Sequence, residues 1–269
     1  MSDLSRLDGK VAVITGAAQG IGEATARLFA ERGIGGLLLT DRQPERLAAV
    51  ADSLQTITSV ETVVADLADA AQVETIIPAA EAAFGRVDIL ANIAGITDRG
   101  TIFNTSVELF DRLFAINVRA PFLLMQGALS IMTRDKIEGA VVNILSVNAH
   151  GGGANLAAYS ASKGALATLT KNVANAVLND RIRINGIYLG WAETPGEHAI
   201  IKSSGQGGDD WLEKAESSQP FGRLIQPDEV ARLIAFLASG ESGVMTGAMI
   251  DFSQHVAGTA PAPPPHRKS

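Results

Sequence analysis

Cysteine is absent from the 269 residues. Disulfides, thiolate catalysis and cysteine-ligated zinc are therefore excluded, and an intracellular, cytoplasmic setting is expected. Positive charge is also scarce: 22 Lys and Arg face 29 Asp and Glu, for a formal net charge of −7. No basic cluster offsets that balance, which argues against a nucleic-acid partner. No run reaches the roughly 18 apolar residues of a membrane span, so no membrane association is expected. Val11–Ala18 is apolar, but its mixed-charge flank and its run into a glycine pattern exclude a signal-peptide core. Histidine occurs four times, at His150, His198, His255 and His266. None pairs with another at ligand spacing, and no metal site is expected. Proline is concentrated in the tail from Thr259, TAPAPPPHRKS, which reads as an extended segment without chemistry.

What is present is globular: 46% apolar and 19% charged residues. Short β-branched runs recur at Lys10–Thr15, Leu37–Asp41, Glu61–Asp66, Val87–Asn92, Ala140–Ser146, Ile182–Ile187 and Ala248–Phe252. Continuous apolar runs of this kind suit strands buried on both faces of a parallel sheet. Segments of helical period separate them. In Ile21–Arg32 the apolar residues Ile21, Ala24, Leu28 and Phe29 fall at three- and four-residue steps, with Gly33 as a stop. Ala71–Phe84, Val107–Met132, Ala157–Leu178 and Pro227–Ala238 read similarly. The alternation predicts an α/β fold: a single doubly wound, Rossmann-type domain over residues 1–258, with a mostly parallel sheet of about seven strands and helices on both faces. The glycine-rich stretch 196–222, which includes Gly205, Gly207, Gly208, Trp211 and Pro220, breaks the rhythm and reads as a lid.

Thr15–Gly22, TGAAQGIG, follows the first strand and opens the first helix. Gly16 permits the tight turn, Gly20 lets a pyrophosphate approach the backbone, and Gly22 lets helix and sheet pack. The helix N-terminus then offers N–H groups to an anion. Gln19 and Ile21 lie in the same loop. Asp41 closes the second strand 19 residues after Gly22. A carboxylate there accepts ribose hydroxyls and repels a 2′-phosphate, which favours NAD over NADP. Arg42 beside it is placed either to stack on adenine or to compensate a phosphate.

TGAAQGIG, then Asn92-Ile93-Ala94-Gly95, Asn117, Ser146 and Tyr159-Ser160-Ala161-Ser162-Lys163, resembles the short-chain dehydrogenase/reductase family over about Leu7 to Phe252. Tyr159 and Lys163 are four apart and share one helix face. A free tyrosine titrates near 10, too high for a base near neutrality, and an adjacent ammonium is expected to lower it. Tyr159 is thus the expected general acid/base, and Ser146 the hydroxyl that stabilises the substrate oxygen. The resemblance implies that Lys163 also holds the nicotinamide ribose and that Asn117 maintains a proton relay. It implies further cofactor contacts at Asp66, Leu67, Asn92, Ala94, Gly95 and Thr194, with Asn92 mainly tying strands together. Leu189 stands where the family's Pro-Gly-x-x-x-Thr segment has proline.

His150, Trp191 and Glu193 are candidate substrate contacts, and the polar cleft suggests a sugar or polyol. The expected activity is NAD(H)-dependent hydride transfer between nicotinamide and a secondary alcohol or ketone. A 3-oxoacyl thioester reductase and a non-catalytic dinucleotide-binding scaffold are the competing readings. Apolar surface around Phe110, Phe114 and Phe122 and on Ala165–Leu178 suits self-association, and the resemblance implies a homotetramer.

Overall fold

Alternate residues of each central strand face opposite sides, and both sides are apolar. Ala12 and Ile14 enter one core and Val13 the other; Leu37 and Leu39 oppose Leu38, and Ile89 and Ala91 oppose Leu90. Full burial of such a side chain contributes roughly 1.5–3 kcal/mol, so a strand of this composition is stable only between two helical layers.

In the computed structural model, which describes residues 3–203, 208 and 210–259, this produces one sheet of seven parallel strands. The chain runs β1 (Val11–Thr15), α1 (Gly20–Glu31), β2 (Gly36–Asp41), α2 (Pro44–Leu54), β3 (Ser59–Val64), α3 (Ala70–Phe84) and β4 (Ile89–Asn92). It continues through α4 (Val107–Phe114), α5 (Ala120–Arg134), β5 (Ala140–Ile144), α6 (Ala157–Ala176) and β6 (Arg183–Leu189). It closes with α7 (Pro195–Ser203), α8 (Trp211–Ser217), α9 (Pro227–Ala238) and β7 (Met249–Phe252). The strand order β3-β2-β1-β4-β5-β6-β7 reverses between β1 and β4. At such a switch point the loops leaving neighbouring strands diverge and open a crevice at the carboxyl edge of the sheet.

Four features differ from the sequence expectation. β3 is not buried on both faces; it is the edge strand, and Glu61 and Val64 are exposed. α2 is a helix the apolar runs did not announce, although Leu47, Val50, Ala51 and Leu54 form its buried stripe. The helix expected over Val107–Met132 is divided by a π-helical turn at Ala115–Arg119, which puts Asn117 at an irregular point of the backbone. The glycine-rich stretch contains α7 and α8 rather than loop alone. Residues 204–207 and 209 of that stretch, with Gly205 and Gly207, lie outside the described residues, as do His266 and the tail beyond Thr259.

By length and composition the stretch Val107–Arg134 is apolar enough to cross a membrane, a signal that counting uninterrupted runs misses because charges such as Arg112 and Arg119 are interspersed. Half of its most apolar window is buried, and Leu124, Met125, Ala128, Ile131 and Met132 spend that character on the second core.

Candidate active site

A cavity of about 830 Å³ occupies the crevice at the carboxyl edge of the sheet. One end is made by the turn between β1 and α1. Gly16 and Gly20 have φ of +70° and +59°, a region that side chains disfavour. A Cβ on Gly22 would stand 2.1 Å from the Gly16 carbonyl oxygen, so the turn closes only with glycine there. A Cβ on Gly20 would stand 3.5 Å from the Thr194 side chain, filling the gap across which the turn and the segment after β6 face each other. Gln19 and Ile21 line the same wall.

Asp41 and Arg42 line the cavity where β2 ends, and Asp66 and Leu67 line it after β3. The Asp41 carboxylate is held by backbone: Oδ2 accepts the Ala18 N–H at 3.2 Å and Oδ1 the Gln43 N–H at 3.1 Å. Ala94 and Gly95 line the middle. Their loop is tied to β1 through Thr15, whose hydroxyl oxygen accepts the N–H groups of Ile93 and Ala94, each at 3.0 Å. Thr15 opens the TGAAQGIG motif, but no role was expected of its hydroxyl. An open glycine cradle at a helix N-terminus, continued by a fixed carboxylate, fits an elongated dinucleotide.

At the other end β5 and α6 bring Ser146, Tyr159 and Lys163 to one wall. Two nitrogens of Asn148, the backbone N–H at 3.1 Å and Nδ2 at 3.3 Å, donate to the Ser146 oxygen. Its acceptor capacity is thereby used, and its own O–H is left to donate. The Lys163 Nζ donates to the Ile144 carbonyl at 2.8 Å. Burial pushes the Tyr159 phenol up to about 12; the Ser146 hydroxyl pulls it down and the Glu197 carboxylate adds to the rise. Burial pulls Lys163 down to about 8. The phenol thus moves opposite to the expectation, because desolvation outweighs the Ser146 hydrogen bond and Lys163 directs its own hydrogen bond to the Ile144 carbonyl.

Asn117 lies behind this wall and is fully buried. Its Oδ1 accepts the Ile96 N–H and its Nδ2 donates to the Ile96 carbonyl and the Ser162 hydroxyl, all at 3.0 Å. Ser162 in turn donates to the Tyr159 carbonyl at 2.7 Å. A Cβ on Gly95 would lie 3.2 Å from both Asn117 Oδ1 and Lys163 Nζ, so these three positions abut.

Three expected contacts lie elsewhere. Asn92 is buried off the cavity, and its Nδ2 donates to Asn143 Oδ1 at 2.8 Å, joining β4 to β5 as the strand tie expected of it. His150 sits on a 3₁₀ turn and faces β6 and β7: its ring lies tilted against that of Tyr188 with centroids 4.3 Å apart, and Nε2 is 3.4 Å from Asp251 Oδ1. Glu193 is drawn off the cavity, accepting from Gln226 Nε2 at 3.0 Å and lying 3.3 Å from His198 Nε2. Trp191 does line the cavity, and its Nε1 donates to Glu197 Oε1 at 3.1 Å. Thr194 lines it too and accepts the Glu197 N–H at 3.1 Å, capping α7. Arg99 and Glu197, which form an ion pair at 3.2 Å, and Asn148 were not anticipated. No residue pattern announces them, because they come from separate loops.

Comparison with known proteins agrees with this geometry. The family profile described as enoyl-(acyl carrier protein) reductase matches residues 16–253. The chain is 33% identical to a 3-oxoacyl-[acyl-carrier-protein] reductase of Thermotoga maritima, over 91% of this chain and 96% of that protein. It is 32% identical to galactitol 2-dehydrogenase of Agrobacterium fabrum, over 88% and 93%. The crystal structure of L-sorbose reductase from Gluconobacter frateurii, complexed with NADPH and L-sorbose, superposes with a TM-score of 0.88 at 30% identity, covering 96% of this chain and all of that one. With the Ser146, Tyr159 and Lys163 wall facing a glycine cradle across one crevice, the chain belongs to the short-chain dehydrogenase/reductase family and is an oxidoreductase.

Proposed function

We propose that the protein transfers hydride between NAD(H) and a secondary alcohol or ketone, with a sugar or polyol as the substrate. The observation that carries this reading is the shared wall of Ser146, Tyr159 and Lys163 at one end of a cavity whose other end is the glycine turn and Asp41. The bound dinucleotide supplies the hydride acceptor or donor. Gly16, Gln19, Gly20, Ile21 and Gly22 hold its pyrophosphate; Asp41, Arg42, Asp66 and Leu67 its adenosine; and Ala94, Gly95, Lys163 and Thr194 its nicotinamide half. Tyr159 takes the alcohol proton at Oη on oxidation and returns it to the carbonyl oxygen on reduction. Ser146 donates to that oxygen and stabilises the charge that develops there. Lys163 supports the phenolate form, and Asn117 holds the Ile96 and Ser162 segments against it.

NAD is preferred because the Asp41 carboxylate, fixed by two backbone N–H groups, repels a 2′-phosphate. Arg42 lines the cavity beside it, and several similar solved proteins hold NADP or NADPH, so the preference is a direct target for measurement. One catalytic domain over residues 1–258, a lid over 196–222, a cytoplasmic setting and a homotetramer complete the reading. Exposed Phe103, Val107, Phe110 and Phe122 on α4, α5 and the segment before them supply an apolar face for self-association.

The test is a screen of sugars, polyols, simple secondary alcohols and 3-oxoacyl thioesters with NAD(H) and NADP(H). Turnover of hydroxylated substrates that Tyr159→Phe abolishes is the expected result. Dinucleotide binding with no turnover would favour a scaffold. Preference for the thioester arm would favour the activity named for the Thermotoga maritima relative.

A further inference from the structure

Glu197 is unusual among the acidic side chains of the cavity because three elements fix it. Arg99, from the loop after β4, pairs with it at 3.2 Å, with both side chains largely buried. Trp191, just after β6, donates to the same oxygen, Oε1, at 3.1 Å. Its own backbone N–H is held by Thr194. Among the described residues no donor reaches Oε2, while the residue lines the cavity. The carboxylate also stands near enough to the Tyr159 phenol for its charge to raise that group. It is therefore a preorganised acceptor close to the reacting oxygen.

We propose that Glu197 is a specificity-determining residue, accepting a hydrogen bond from a substrate hydroxyl near the reacting carbon and thereby selecting neutral polyhydroxylated substrates. This rests on the oxidoreductase reading above and refines its substrate class. An ionised carboxylate only accepts, so the substrate must bring a donor. Arg99 offsets part of the charge of Glu197 at Oε1, so the pair does not call for an ammonium ion, while a substrate carboxylate or phosphate brings no donor to Oε2 and is disfavoured there. Ile96 and Leu156 supply apolar wall for a carbon skeleton. A site built around a hydroxyl discriminates against analogues that lack one, because the acceptor that faces the cavity is then left without its substrate partner.

The experiment compares kcat/KM for a hexitol, for cyclohexanol and for a hydroxycarboxylate in the full-length wild type, Glu197→Gln and Glu197→Asp. Dinucleotide binding by fluorescence serves as the folding control. The wild type should favour the hexitol. In Glu197→Gln the hexitol-to-cyclohexanol ratio should fall about tenfold or more, mainly through KM. Discrimination against the hydroxycarboxylate should relax, and the phenol-dependent limb of the pH profile should move to lower pH. Glu197→Asp should recover part of the ratio. An unchanged ratio in a variant that binds dinucleotide normally would overturn this assignment while leaving the oxidoreductase reading intact. A wild type that turns over none of the three with either cofactor would overturn both.

Discussion

At the glycine-turn end of the cavity, backbone presents the chemistry: N–H groups at the start of α1, and a carboxylate held by two further N–H groups. At the opposite end, side chains present it, carried on the end of β5, α6, the loop after β4 and the first turn of α7. The first arrangement is short in sequence and closely packed, since backbone approaches backbone at Gly22 with no room for a side chain. The second is assembled from distant segments, so individual residues there can change without disturbing the sheet. Selectivity for substrate is therefore expected at this second end, where the fold is least constrained.

The largest expected effect that sharpens this contrast is at Tyr159. Tyr159→Phe should lower kcat about 10²- to 10⁴-fold while dinucleotide titration by fluorescence remains near wild type; retained turnover would place the acid/base elsewhere. Next is the cradle. Gly22→Ala forces a Cβ to within 2.1 Å of the Gly16 carbonyl oxygen, an overpacking that costs about 1–3 kcal/mol. Thermal unfolding should occur at lower temperature and dinucleotide affinity should drop; a variant with unaltered affinity would show that the turn is not the binding element.

A smaller effect is expected at Asp41. Asp41→Ala removes a charged acceptor, so the NAD-to-NADP ratio of kcat/KM should fall about tenfold, and a wild type already favouring NADP would remove the role given to this carboxylate. The smallest concerns pH. Lys163 titrates at about 8 when folded and 10.5 ordinarily. Between those values the unfolded chain binds more protons, so Lys163 makes stability rise with pH across that window. Tyr159, at about 12 against 10.0, opposes this only above pH 10. The urea midpoint of Lys163→Met should therefore rise less from pH 8 to 10 than that of the wild type, whereas parallel curves would mean the lysine is not desolvated.

Much of the glycine-turn end was legible in the chain. Gly16, Gly20, Gly22 and Asp41 fall at the spacing a β-turn-α unit requires, and Tyr159 and Lys163 sit one helical turn apart. The strands were legible through their apolar runs, although the edge position of β3 was not, because a run of valines reads alike whether one face or two are covered. His150 and Glu193 were plausible by their nearness in sequence to Ser146 and Thr194. Each instead turns to a partner brought close by folding, Asp251 and Tyr188 in one case and Gln226 in the other.

Local periodicity and glycine spacing by themselves determined the strands and helices, the glycine turn after β1 and the shared helix face of Tyr159 and Lys163, since each depends on residues only a few positions apart. Tertiary structure alone decided that Arg99 and Glu197, separated by 98 positions, meet beside Tyr159, that Asn117 is locked behind Gly95, and that burial raises the phenol rather than lowering it. Desolvation and ion pairing depend on what surrounds a group in space, and that surrounding exists only after the sheet has brought its loops to one edge.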